Sequence, residues 1–246
     1  MNMEKIAIII PSRLDSVRLP NKPLKLINNK EMILHVYNVA KSSNVGEVIV
    51  ATPDKEILDL IKTHNGQAIL TSDKHQTGTD RVFEVFERVL ESKPEVIINF
   101  QGDMPNLNPN AIKELATHMK KNLCDIATLA SSFENKDEEK DPNVVKVLAS
   151  HEIKNKIFSK TLDFFRTSNK TLDKLVYHHV GIYAFTNKAL IRYVSLKRSK
   201  LEIERKLEQM RALENQMKID VGYIDTCPLS VDTEIDLIAV RKIMEK

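Results

Sequence analysis

Arg13, Arg18 and Lys22 stand close together on a segment that holds Pro11, Pro20 and Pro23 and no glycine. Fixed cations at this spacing suit a polyanion such as a row of phosphates. A glycine-rich loop would cradle phosphates with backbone N–H groups, which need glycine for close approach. This segment has to use side chains instead. The plain alternative is a basic surface loop, because exposed Arg and Lys usually contribute little. Two carboxylates are candidates to work with these cations. Asp103 follows Gln101-Gly102, and Asp232 lies in Ser230-Val231-Asp232-Thr233. Mg²⁺ takes oxygen ligands, typically one or two carboxylates with phosphates and waters. For Asp232 the competing reading is a helix N-cap, a position that favours Asp. The segment Thr71–Arg81, with His75, Gly78, Thr79, Asp80 and Arg81, is polar and enters a helix. Its N-terminal amides favour anions, and capping alone also accounts for it. His179 precedes Gly181-Ile182-Tyr183, and a hydrogen-bonded core histidine is the usual fate of such a residue. Glu208, Gln209 and Arg211 share a helical stretch with the apolar Leu207, Met210 and Leu213. No HExxH, GxSxG or GxGxxG occurs, which disfavours zinc peptidase, α/β-hydrolase and Rossmann chemistry.

The elements around these residues follow from hydrophobic period. Ile6–Ile10 is a continuous apolar run, suited to a strand buried on both faces of a parallel sheet. Pro11 stops it, which places the basic loop beyond the strand's carboxyl end, where open parallel sheets bind ligands. A helix from about Glu31, a strand at Glu47–Ala51 and a helix capped by Asp54 follow. Next come a strand at Gln67–Leu70, a helix capped by Thr79 or Asp80, a strand at Val96–Phe100 and a helix from Asn108-Pro109. This alternation calls for right-handed crossovers and a mostly parallel sheet. After Asp125 the period changes. Ile126–Ala130, Val144–Leu148 and Ile182–Phe185 read as strands, with a charged loop at Asn135–Asp141. A long helix is expected from about Ser199 to Gln216, then a strand at Ile219–Tyr223 and a helix from about Thr233.

The chain has 246 residues, 42% hydrophobic and 29% charged, enough for a large α/β core. Its 37 basic and 34 acidic residues leave a net charge of +3, which argues against a nucleic-acid surface and makes any anion site local. Cys124 and Cys227 have no metal-ligand spacing and read as buried thiols of a reducing compartment. The apolar run after the N-terminus is too short for a signal core or a membrane span. A cytoplasmic protein without membrane insertion is the expectation.

The motifs together resemble the 3-deoxy-manno-octulosonate (Kdo) cytidylyltransferases. They are Pro11-x-Arg13-x-x-Ser16-x-Arg18-Leu19-Pro20-x-Lys22-Pro23-Leu24, His75-Gln76-x-Gly78-Thr79-x-Arg81 and Gln101-Gly102-Asp103. Further along come Asp141-Pro142-Asn143-Val144-Val145-Lys146-Val147, His179-x-Gly181-Ile182-Tyr183, Leu207-Glu208-Gln209-x-Arg211 and Val231-Asp232-Thr233. The opening loop is shared with CMP-sialate synthetases, and the last three motifs in this order are far more specific. The resemblance implies an α/β fold of nucleotide-diphospho-sugar transferase type, a mostly parallel twisted sheet flanked by helices with a smaller mixed-sheet lobe. It implies one domain over 1–246, with a nucleotide-binding half at about 1–124 and a sugar-acid-binding and dimerisation lobe at about 125–230. Residues 231–246 would be a returning metal loop and helix.

The implied reaction is transfer of CMP from CTP to Kdo with release of pyrophosphate, for lipopolysaccharide. Arg13, Arg18, Lys22, Asp103 and Asp232 are the implied catalytic set, with Mg²⁺ on the two aspartates. CTP would meet Pro11, Ser12, Arg13, Lys22, Gly78, Thr79, Arg81 and Gln101. The sugar acid would meet Gln101, Lys160, Arg166, His179, Tyr183, Glu208 and Gln209. A homodimer is implied, with 150–216 as the expected interface. Three departures from the family pattern stand out. Met104 replaces a usual Glu, Lys160 stands where an arginine is usual, and Leu229-Ser230 precede Val-Asp-Thr where glycine is common. Lys keeps charge but lacks Arg's bidentate fork, with Arg166 near the expected register. The alternatives are a CMP-sialate or related sugar-acid synthetase and a non-catalytic nucleotide-binding module.

Overall fold

The computed structural model describes residues 6–90, 93–121, 123–154, 157–167 and 174–245. The first five residues lie outside this set. The chain divides into two units, residues 1–113 with 228–246, and residues 114–227.

The first unit begins with β1 (Ile6–Pro11), every residue of which is buried. Two two-residue strands, β2 (Leu26–Ile27) and β3 (Lys30–Glu31), precede α1 (Met32–Ser43). Then come β4 (Glu47–Thr52), α2 (Lys55–Thr63), β5 (Gln67–Leu70), α3 (Gly78–Arg88) and β6 (Val96–Phe100). The order β5-β4-β1-β6 is parallel throughout, with Ile9 opposite Ile49 on one side and Asn99 on the other. The apolar run of β1 is thus the centre of a two-faced sheet, as its composition requires. Pro11 closes the strand instead of preceding the loop. The chain passes to the second unit within α4 (Pro109–Met119), which starts on proline, where no N–H is needed.

The second unit holds β7 (Ile126–Ser131), α5 (Lys136–Lys140), β8 (Lys146–Ala149), β9 (Ser159–Phe165) and β10 (Val176–Thr186). Three short helices follow, α6 (Asn187–Ser195), α7 (Lys200–Arg205) and α8 (Met210–Glu214), and then β11 (Ile219–Tyr223). The strands run β10-β7-β11-β9-β8, and β8 also pairs with β10. Only β7 and β11 are parallel among these pairs, so the sheet is mixed. The chain then returns to the first unit and ends in α9 (Glu234–Met244).

Four local readings are corrected. The charged stretch 135–141 is not a bare loop: Asn135 caps α5 by accepting from the N–H groups of Asp137 and Glu138. Ser159–Phe165 is a strand whose weak alternation hid it. The cap of α3 is Thr77, not Thr79 or Asp80. The expected helix from Ser199 to Gln216 is two helices, because Lys206 takes a left-handed φ of 55°. That break frees Glu208-Gln209 from a continuous helical face.

The break is held in place by buried charge. Ser199 caps α7 through a reciprocal box with Glu202, whose side chain is 1% exposed. The Arg211 guanidinium donates to both Glu202 oxygens, at 2.8 and 2.6 Å. Its face lies 4.7 Å from the centre of the Tyr193 ring, and the Tyr193 hydroxyl donates to the Glu208 carbonyl at 2.9 Å. Burial pushes the Glu202 carboxyl up, but the bonds from Arg211, the Ser199 N–H and Arg198 outweigh it and hold it below the ordinary range. A carboxyl held down in the folded state stabilises above its unfolded pKa and loses that contribution as pH falls through its folded value. Glu202→Gln, which leaves Arg211 buried without its counter-charge, should cost about 3–5 kcal/mol in urea unfolding. The difference between wild type and variant should shrink as pH falls from the ordinary glutamate range through the carboxyl's lowered folded value. An equal difference at pH 7 and pH 3 would show that the ion pair is not its source.

Candidate active site

All of this site's residues belong to the first unit. Beyond β1 the chain folds back on itself. The Asn21 N–H donates to the Leu14 carbonyl at 3.3 Å and the Lys22 N–H to the Leu19 carbonyl at 3.1 Å. Asn21 takes the left-handed conformation, and Pro23 is buried in a single 3₁₀ turn, Lys22–Leu24. One end of the loop is held from outside: the Leu14 N–H donates to the Asp54 carboxylate at 2.7 Å. Asp54 was expected as a helix cap. It does stand at the N-cap of α2, but its side chain makes no capping bond there and serves the basic loop instead. At the other end Leu19 is anchored in an apolar cluster with Ile27, Met32, Val231, Leu237 and Val240.

That cluster decides where Asp232 goes. Val231 is fully buried in it, and its N–H donates to the Asp103 carbonyl at 2.9 Å. The cap of α9 is Thr233, in a reciprocal box with Asp236, so the competing use of Asp232 as a cap does not hold. Asp232 is left to point at the loop. Its two oxygens lie 3.1 Å from the Lys22 ammonium and 2.9 Å from the Arg18 guanidinium. The same ammonium is 3.3 Å from Asp103. Residues 18, 22, 103 and 232 therefore meet at one place. Burial works to lower the Lys22 pKa, but the two carboxylates outweigh it and hold the pKa above the ordinary lysine value. Two carboxylates gripping one cation are a hard-oxygen donor set of the kind that holds Mg²⁺.

A second group lies beside them. A Cβ built on Gly78 would stand 3.2 Å from the Pro11 ring and 3.3 Å from the Gln101 amide. One built on Gly102 would stand 3.2 Å from the Pro11 carbonyl and 3.6 Å from the Ser12 hydroxyl. Pro11, Ser12, Gly78, Gln101 and Gly102 thus form one wall. Gln101 donates to Asn99 at 2.8 Å, and Asn99 to Thr79 at 3.3 Å. The Ser12 hydroxyl is buried and has no hydrogen-bond partner, the sort of atom a ligand satisfies. Arg81 is 3% exposed and its guanidinium is bound to the Thr71 hydroxyl and, at 2.9 Å, to the Ser72 carbonyl. It shapes the loop before α3. Arg13 is exposed, yet close enough to Arg81 that, after burial, its charge helps to lower the Arg81 pKa. His75 is paired with Glu84 at 2.5 Å. Met104, the apolar departure after Asp103, is 3% exposed and packs into the core.

The residues expected to meet a sugar acid, Gln101 apart, belong to the second unit. There β10 carries a bulge between Val180 and Tyr183. The Thr128 hydroxyl is 2.9 Å from His179 Nε2 and bonds the Val180 and Ile182 carbonyls at 3.2 and 2.8 Å, which satisfies the bulge. Burial, helped by His178, pushes the His179 pKa down to about 3, so this ring is neutral at physiological pH. Its centre is 5.4 Å from the Tyr183 ring. Burial and then the nearby Glu208 charge push the Tyr183 phenol well up. Gln209 is 9% exposed at the start of α8. His179, Tyr183 and Glu208 are thus neighbours. Lys160 is exposed on β9. Arg166 is tied down, donating to the Pro142 and Asn143 carbonyls at 3.2 Å each. Lys146 fixes this corner: fully buried, it donates to the carbonyls of Asp141, Val144 and Arg166 at 2.5, 2.9 and 2.8 Å. Its place in the Asp141–Val147 motif is the sign that could have marked it.

Comparison with known proteins gives the family and the fold. A family model described as Cytidylyltransferase matches residues 7–219. A protein of Bartonella tribocorum named 3-deoxy-manno-octulosonate cytidylyltransferase is 42% identical over 99% of this chain and 100% of its own. One from Bradyrhizobium sp. with the same name is 40% identical over the full length of both. A solved CMP:2-keto-3-deoxy-manno-octonic acid synthetase complexed with CTP superposes with a TM-score of 0.88 at 34% identity, covering 98% of each chain. A 4-diphosphocytidyl-2C-methyl-D-erythritol synthase from Anaerococcus prevotii, 13% identical with a TM-score of 0.66 and 98% of each chain covered, shares the fold alone. The α/β fold is that of the nucleotidyltransferases, and the chain belongs to the 3-deoxy-manno-octulosonate cytidylyltransferase family.

Proposed function

We propose that this chain transfers the cytidylyl group of CTP to 3-deoxy-manno-octulosonate, giving CMP-Kdo and pyrophosphate. The convergence of Asp103, Asp232 and Arg18 on Lys22 at the tip of β1 carries the reading. Asp103 and Asp232 would hold Mg²⁺, which neutralises phosphate charge when bound. Lys22, Arg18 and Arg13 bind the triphosphate and offset the charge that grows on the departing pyrophosphate. The wall of Pro11, Ser12, Gly78 and Gln101 holds the nucleoside side, with the Ser12 hydroxyl as a ready donor. The sugar-acid hydroxyl oxygen bonds to the α-phosphorus, and the bond from that phosphorus to the β-phosphate oxygen breaks. Most of the acceleration comes from holding these two groups in line.

His179, Tyr183, Glu208 and Gln209 supply the sugar-acid contacts, His179 as a neutral ring and not a counter-cation. With Arg166 engaged on carbonyls, Lys160 is the freer cation for the acid's carboxylate. The chain works in the cytoplasm as a homodimer built through the second unit, in lipopolysaccharide assembly. Among the described residues no helix is long and apolar enough to cross a membrane, which supports that placement.

Asp103→Asn should lower turnover about 10²–10³-fold in a CTP/Kdo pyrophosphate-release assay, with unchanged circular dichroism. An unchanged rate would end the proposal. Kdo should be used at least about 10²-fold better, by kcat/KM, than sialic acid in parallel assays. Comparable rates would move the chain to the sialate-type alternative. Asp54→Ala should loosen the basic loop and raise KM for CTP more than it lowers kcat. A pure kcat loss would rule out this positioning role.

A further inference from the structure

The second unit contains a set of donor atoms that the transfer reaction does not use. His118 comes from the last turn of α4, Cys124 from the segment before β7, and Asp220 from β11. The ligand atoms of the three lie within 4.8 Å of one another. His118 Nε2 is 2.9 Å from an Asp220 oxygen. The Cys124 sulfur is 3.7 Å from the Met119 thioether, a fourth donor behind the thiol. Cys124 and His118 are each 7% exposed, while the Asp220 side chain, at 19%, gives the cluster its opening to solvent.

The imidazole is held in place. Its ring lies flat on Phe158, with centres 3.8 Å apart and planes 5° from parallel. The sequence keeps room for that stack: a Cβ on Gly222 would come within 2.5 Å of the Phe158 ring. The end of α4 and the segment just after it, with β11 about a hundred residues on, thus deliver an imidazole, a thiol and a carboxylate to one largely buried point.

We propose that His118, Cys124 and Asp220 form a binding site for a thiophilic d¹⁰ cation of the zinc class, separate from the cytidylyl-transfer site. Sulfur, nitrogen and carboxylate oxygen are zinc's ligand types, at about 2.3, 2.0 and 2.1 Å. Around a tetrahedral ion those lengths set neighbouring ligands about 3.3–3.7 Å apart. The His118–Asp220 spacing lies just below that range and the Cys124–Met119 spacing at its top. Rotation of the Asp220 carboxylate away from His118 opens the position between them. The thiol is protonated as it stands, since burial, with Asp220 next, pushes it up to about 12. The entering cation takes that proton's place on sulfur and one proton leaves to solvent, while the His118 proton that faces Asp220 gives way at Nε2 and the neutral ring carries its proton on Nδ1. A soft thiolate with a thioether beside it discriminates against Mg²⁺, which prefers oxygen alone. The bound ion would pin α4 to β11 and stabilise the fold by mass action.

The test is a titration of the full-length, EDTA-stripped protein with Cd²⁺, followed by thiolate-to-cadmium charge-transfer absorption, and with Zn²⁺, followed by thermal melting. The expected result is one Cd²⁺ per chain with that absorption, and a rise in Tm with Zn²⁺. Both should vanish in Cys124→Ser and persist in Cys227→Ser, because Cys227 sits by His178 elsewhere in the unit. Asp220→Asn, which keeps the thiol, should weaken Cd²⁺ at least about 10-fold. It keeps the test open if the serine variant fails to fold. No charge-transfer band in the wild type, a band that survives Cys124→Ser, or one lost in Cys227→Ser instead would each overturn the assignment.

Discussion

The meeting of cations and carboxylates at the candidate active site depends on one apolar cluster that holds both Leu19 and Val231. These residues are separated by most of the chain, and each stands next to charge: Leu19 beside Arg18, Val231 beside Asp232. Their burial in one cluster with Leu237 and Val240 brings the two charged segments together. Full burial of such side chains is worth about 1.5–3 kcal/mol apiece. The exposed or half-exposed ion pairs they position are worth about 1 kcal/mol or less. The hydrophobic term therefore sets the geometry, and the electrostatic term inherits it. Lys22, at 16% side-chain exposure between two carboxylates, is the part of this constellation least screened by water.

The same division of labour holds in the second unit with the signs exchanged. There a buried ion pair fixes the backbone on either side of Glu208-Gln209. Glu202 and Arg211 would be costly to bury alone, and they stay because each satisfies the other with two bonds and Glu202 also completes a capping box. The left-handed turn at Lys206 is tolerable because both flanking helices are held by that pair. Without the turn, Glu208 and Gln209 would lie on a regular helical face; with it, the Glu208 carbonyl accepts from both the Arg211 N–H, at 3.1 Å, and the Tyr193 hydroxyl, at 2.9 Å.

Sequence reasoning reached the parts of this molecule that rest on local period and on residue types that do chemistry. β1, β4 and β6 were legible because strands buried on both faces are near-continuous apolar runs, and the short edge strand β5 was legible from the turn Asn65-Gly66 before it. The cations and aspartates were legible because charge after a buried strand has few structural uses. Several features were not, and for a common reason: their role is set by a partner distant in the chain. Asp54 carries every mark of a helix cap, and only the fold shows its carboxylate turned to the Leu14 N–H. The stretch 199–216 has a continuous helical period, and only Arg211 reaching back to Glu202 explains its break. β9, Ser-Lys-Thr-Leu-Asp-Phe-Phe, is different: it buries Ser159 and Thr161 and exposes Leu162, so its sequence does not read as an apolar alternation.

Arg81 shows how a motif residue can also hold its own loop in shape. Its guanidinium is buried and bound to Thr71 and Ser72, the chain leaving β5. A planar group with five donors fixed in a fork can satisfy several acceptors at once, which makes arginine effective at locking loops. The loop Arg81 holds leads into Gly78, whose close approach to Pro11 and Gln101 forms part of the wall beside the basic loop. Its charge still reaches the site through Arg13, since two guanidinium groups near one another favour an anion between them. An arginine that holds its own loop thereby also raises the local positive potential.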